Sequence, residues 1–102
     1  FNEAVIFYNG EIISLGSFEG SPSITGQARD INDIYGSNGL GQVVGDLPLN
    51  FEGKITSIAY WYEDGILNNI SNVSCGNNNS SWAFALNNQG TVLGYCDAFS
   101  PN

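Results

Sequence analysis

Residues Ala4–Gly10 read AVIFYNG, and residues Ala59–Gly65 read AYWYEDG. Both consist of Ala, three apolar or aromatic residues, one further residue, then Asn or Asp, then Gly. They stand 55 positions apart, and the same offset carries A-x-D-I-N (Ala28 to Asn32) onto A-x-A-L-N (Ala83 to Asn87). Further on, GQVVG starts at Gly41 and GTVLG at Gly90, an offset of 49. One insertion of six residues between Asn32 and Gly41, within DIYGSNGL, accounts for the change. Such internal periodicity takes precedence over element-by-element reading. The chain is expected to be one domain, 1–102, made of two tandem units at about 3–48 and 55–97.

Each unit reads as four short strands. In the first, residues 3–8 are apolar and aromatic and run into Asn9-Gly10. Asn-Gly between two apolar runs marks a two-residue hairpin, because both residues tolerate positive φ. Strands at 11–16, 24–32 and 41–47 follow, and Pro48 is expected to end the last, since proline cannot donate to a ladder. In the second unit the strands fall at about 55–62, 66–70, 82–87 and 91–96, with turns at Glu63-Asp64-Gly65 and Asn88-Gln89-Gly90. No helical period is sustained. Eight strands at this spacing predict an all-β fold.

Composition agrees. Of the 102 residues, 42% are hydrophobic and 13% aromatic, which opposes disorder. Only 12% are charged, and Asn, Ser and Gly carry the polar role, as turns require. The net charge of −8, with Arg29 and Lys54 as the two cations, argues against nucleic acid and against an anionic membrane surface. No apolar run reaches the length of a membrane span. The absence of His removes Ser-His-Asp and Cys-His catalysis and His-ligated metal. No cofactor motif is present. The chain starts at Phe1, which suggests a removed leader or an excised piece. Asn69, Asn72, Asn78 and Asn79 each begin an N-x-S sequon, which has meaning only in a eukaryotic source.

Taken in order, these motifs resemble the bacterial extracellular repeat family called HAF. That family repeats a pattern close to A-F-L-W-x-N-G, then D-L-G, then A-I-N-x-x-G-Q-V-V-G. The second unit supplies AYWYEDG and AFALNNQGTVLG (Ala83 to Gly94); the first supplies AVIFYNG, SLG at Ser14 to Gly16, and the interrupted DIN…GQVVG. The family's opening His is replaced by Glu3 and Ile58, and D-L-G by Asn69-Ile70-Ser71 in the second unit. The resemblance implies a secreted, periplasmic or cell-surface location and says little about activity. A unit of about 45 residues with four antiparallel strands looks like a propeller blade. Two blades cannot close a ring. The expectations are self-association, membership of a longer array, or an eight-stranded sandwich or small barrel.

Candidate sites are few. The inserted loop carries Asp33, Tyr35 and Asn38, and functional loops are often such extensions. Asp30, Asn32 and Asp33 offer oxygens of the kind that bind Ca²⁺, although Ile34 breaks the EF-hand spacing. Trp61 and Trp82 lead an aromatic set, with Tyr60, Tyr62, Phe84, Tyr35 and Tyr95, that suits a glycan in a groove between strands. Trp61 aligns with Ile6 and Trp82 with Gln27, so neither Trp is duplicated. Cys75 and Cys96 are expected to form a disulfide in an oxidising compartment, closing a loop of about 20 residues. Carboxylate-pair catalysis has no motif to support it. The reading is a non-enzymatic module acting in binding or assembly, with a carbohydrate-binding lectin as the alternative.

Overall fold

A computed structural model describes residues 3–18, 26–36, 39–51, 53–71 and 79–97. The fold is all-β, with strands β1 (Val5–Tyr8), β2 (Glu11–Ser14), β3 (Gln27–Ile31), β4 (Val43–Phe51), β5 (Lys54–Glu63), β6 (Ile66–Asn69), β7 (Ser81–Leu86) and β8 (Val92–Cys96). All pairings are antiparallel. They form a two-stranded sheet β1-β2, a four-stranded sheet β3-β4-β5-β6 and a two-stranded sheet β7-β8. No closed barrel or propeller forms among the described residues.

The four-stranded sheet is not built from one sequence unit. It takes β3 and β4 from the first and β5 and β6 from the second, so the expectation of one sheet per unit is corrected. The cause is the β4–β5 hairpin. Its ladder runs without interruption from Val43↔Tyr62 to Phe51↔Lys54 across the boundary between units. β4 accordingly continues through Pro48, where the sequence placed its end. The described pairings of β4 with β3 reach only Gln27↔Asp46, so Pro48 lies beyond them and is carried by the β4–β5 ladder, opposite Ser57.

The strand pairings recur at the offsets seen in the sequence. Val5↔Ser14 through Tyr8↔Glu11 in β1-β2 reappears as Tyr60↔Asn69 through Glu63↔Ile66 in β5-β6. Both hairpins turn on a pair with positive φ, Asn9 (50°) with Gly10 (79°) and Asp64 (54°) with Gly65 (80°). Gln27↔Asp46 in β3-β4 reappears as Trp82↔Tyr95 in β7-β8, and each ladder has one bulge, between Ala28 and Asp30 and between Ala83 and Ala85. Opposite the first bulge, Gly45 has no room for a Cβ, which would strike the Gln27 carbonyl and crowd the Tyr60 hydroxyl.

The three sheets stack as layers. Val43, Leu47, Tyr60 and Tyr62 point to one face of the central sheet and pack with Ala4, Ile6 and Leu15 of the β1-β2 layer. Val44 and Ala59 point to the other face and pack with Ala83 and Leu86 of the β7-β8 layer. The start of β4 is therefore covered on both faces, which is why Val43 and Val44 are consecutive buried apolar residues rather than an apolar–polar alternation. Each fully covered Val, Leu or Tyr side chain contributes about 1.5–3 kcal/mol.

Candidate functional site

The two asparagines of the repeated A-x-x-x-N motif organise the β3–β4 and β7–β8 connections identically. Asn32 Oδ1 accepts from the backbone N–H groups of Ile34 (3.1 Å) and Gln42 (3.0 Å). Asn87 Oδ1 accepts from those of Gln89 and Thr91, both at 2.9 Å. The two loops then clasp each other. Asn32 Nδ2 donates to Asn87 O (3.0 Å), and Asp33 N donates to Asn88 Oδ1 (2.8 Å). Asp30 adds a third link, its Oδ2 accepting from Leu86 N at 2.7 Å.

This occupies the side chains of Asp30 and Asn32, two of the three considered for calcium, while Asp33 enters the clasp through its backbone N–H. Asn32 is buried and its amide is used in full, with Nδ2 also donating to Gln42 Oε1 at 2.8 Å. Asp30 Oδ1 accepts from Ile31 N at 2.9 Å. These oxygens face N–H donors. Among the described residues no group of three or more His, Cys, Asp or Glu side chains converges.

The bulge residues face one another across layers. Arg29 lies with its guanidinium 5.1 Å from the centroid of the Phe84 ring, and its Nε donates to Asp46 Oδ2 at 3.0 Å. Phe84 in turn stacks on Tyr95 at 5.1 Å, and Trp82 lies 4.7 Å from Tyr95. Position for position, the ion pair Arg29–Asp46 in the first unit is the aromatic pair Phe84–Tyr95 in the second. Beneath Arg29, the Tyr60 hydroxyl donates to Gln27 O at 2.8 Å. Burial, reinforced by the Asp46 carboxylate and opposed by Arg29, pushes the Tyr60 phenol well above the ordinary tyrosine range.

Two open apolar clefts flank the central sheet. One, of about 510 Å³, lies between β5-β6 and β7-β8, and Trp61, Ile70, Trp82, Val92 and Tyr95 line it. The other, of about 370 Å³, lies between β1 and β3, with Phe7, Arg29, Ile31 and Val43 in its wall. The structure thus brings Trp61 and Trp82 into one cleft, as glycan binding in a groove requires. Asp33 and Tyr35 are exposed on the β3–β4 connection and line none of the described clefts. Asn38 and Cys75 lie outside the described residues.

Sequence reasoning passed over Phe7 (77% exposed), Ile12 (69%) and Leu93 (68%). A signal was present. VIFY in β1 and VLGY in β8 are apolar without alternation, the pattern of strands covered on both faces. Here Phe7 and Tyr8 of β1 are exposed, and in β8 every residue after the half-buried Val92 is exposed. Comparison with models of protein families, with curated proteins and with solved structures gives no match to this chain.

Proposed function

We propose that this chain is a non-enzymatic, secreted or surface-exposed repeat module of the HAF type that acts in binding or assembly. The observation that carries this reading is the pair of incomplete sheets at its two ends. β1-β2 and β7-β8 each expose large apolar side chains, Phe7 and Ile12 on one and Leu93 and Tyr95 on the other, beside an apolar cleft. Among the described residues no strand pairs with the outer edge of β1 or of β8. An open edge next to exposed apolar surface suits strand addition, in which backbone hydrogen bonds supply affinity and side-chain pockets supply specificity. The two-blade, propeller-like description of the units belongs to this same reading.

A synthetic hairpin copying residues 57–70 tests edge competence. It is expected to bind the chain, as read by fluorescence anisotropy, and Leu93→Asp is expected to abolish binding. A hairpin that binds no better than its scrambled version sinks the reading. Trp61, Trp82 and Tyr95 in one cleft favour the second reading, a carbohydrate-binding lectin. It expects glycan titration to quench tryptophan fluorescence, and Trp82→Ala to remove the response.

A further inference from the structure

We infer that the two incomplete sheets complete each other between copies of this chain, β8 of one copy pairing with β1 of the next in a fixed register. This rests on the reading of the ends as docking surfaces and names their partner.

The central sheet is the template. β7-β8 matches β3-β4 and β1-β2 matches β5-β6, pairing for pairing. In the central sheet β4 is joined to β5 by Val43↔Tyr62, Val44↔Trp61, Gly45↔Tyr60 and Asp46↔Ala59. Shifted by the repeat offsets, these become Val92↔Phe7, Leu93↔Ile6, Gly94↔Val5 and Tyr95↔Ala4. The product is a second four-stranded sheet, β7-β8-β1-β2, with the same order as the first. One chain cannot form it alone, because its β1-β2 and β7-β8 layers sit on opposite faces of the central sheet.

Exposure supports the same partner. Val44 is 0% exposed and its counterpart Leu93 68%; Tyr62 is 4% and its counterpart Phe7 77%; Leu86 is 8% and its counterpart Ile31 50%. Each residue of these pairs is apolar, and the exposed one lacks only the neighbouring layer that covers the other. The template also says where each goes. In the chain, β1-β2 packs over one face of the central sheet through Val43 and Leu47 of β4, Tyr60 and Tyr62 of β5 and Leu67 of β6. A partner's β1-β2, added to β8, lies over the opposite face, so its Phe7 and Ile12 enter the cleft lined by Trp61 and Ile70. Reciprocally, Leu93 and Tyr95 of the first copy enter the partner's cleft at Ile31 and Val43. One contact fills two clefts and covers four exposed side chains. The contact is head-to-tail, so repetition builds whole four-stranded sheets, two per copy, in a ring where the rotation closes and in an open filament where it does not.

Solution mass and site-directed cross-linking test this. The chain is expected to run at two or more times 10.9 kDa. Leu93→Asp and Phe7→Asp, both at exposed positions, are expected to give monomers with unchanged circular dichroism. A Val92→Cys chain mixed with a Phe7→Cys chain is expected to cross-link through a short dithiol-reactive reagent. A Tyr95→Cys chain mixed with Phe7→Cys, out of register, is expected not to. A monomeric mass for the unaltered chain up to its solubility limit overturns the inference. Equal cross-linking of both mixtures overturns the register. If the chain is monomeric yet binds the 57–70 hairpin, self-pairing falls and the docking reading stands.

Discussion

The side-chain amide of Asn32 donates to the main-chain carbonyl of Asn87, its own counterpart 55 residues later, at 3.0 Å. The same chemical group that closes one loop therefore ties it to its copy. Asn32 is buried and Asn87 exposed, so the two positions differ in what their loss leaves behind. Asn32→Ala strands the buried Gln42 N–H and is expected to cost about 2–4 kcal/mol. Asn87→Ala leaves N–H groups that water reaches and is expected to cost about 1 kcal/mol. Urea denaturation of the two variants checks the ordering; equal losses contradict it.

Gly45 tests the packing opposite the bulge. A methyl group there meets the Gln27 carbonyl and lies 2.7 Å from the Tyr60 hydroxyl. Gly45→Ala is expected to destabilise by about 1–3 kcal/mol, the usual penalty for overpacking. Gly10→Ala, at φ 79° with open space around it, costs only backbone strain, about 1 kcal/mol. Thermal melts of both variants give the comparison.

Tyr60 predicts how stability depends on alkaline pH. Its phenol titrates higher in the folded chain than in the unfolded one, where it titrates near 10. Below that value both states hold the proton and the full contribution is present. As pH rises past about 10, the unfolded chain releases the proton while the folded chain keeps it, so stability falls. Denaturant midpoints at pH 9 and pH 11 are expected to differ, with the lower at pH 11. Tyr60→Phe removes the group and is expected to shrink that difference, although it also forfeits the bond to Gln27.

Cys75 and Cys96 supply a fourth expectation. An oxidised chain should weigh two hydrogens less than the reduced chain by intact-mass measurement. Reduction should lower stability by about 3 kcal/mol, the loop-closure value for this spacing. Two thiols that react freely with alkylating reagent in the unreduced, folded chain contradict the pairing.

The strands and the hairpin partners at the Asn9-Gly10 and Asp64-Gly65 turns were legible in the sequence, and the grouping of hairpins into sheets was not. Asn9-Gly10 announced the β1–β2 turn, and the bulges at Arg29 and Phe84 fall at corresponding places in the repeated motif. Sheet membership failed because a repeat fixes period but not phase. The same unit can be framed to begin at β1 or at β3, and only the Val43–Glu63 hairpin decides. Pro48 misled because proline's missing N–H was read as ending the strand, whereas the β4–β5 ladder carries the chain past it to Phe51↔Lys54. Among site residues, Trp61 and Trp82 share a cleft, while Asp33 and Tyr35 stand apart on their loop. Asn32 looked like an oxygen donor for a cation, but its amide holds neighbouring loops together, a role that depends on contacts across 55 residues.

The straddling of the unit boundary by the central sheet also bears on synthesis. β1-β2 leaves the ribosome before β5, with Ile6 and Ile13 facing the place that Tyr60 and Tyr62 will occupy. Until residue 62 has emerged, that face has no cover, and the nascent chain presents an open apolar hairpin to any neighbour. Growing chains on one messenger are thus exposed to mutual pairing before each has folded, and a slow ribosome between residues 16 and 60 lengthens that interval.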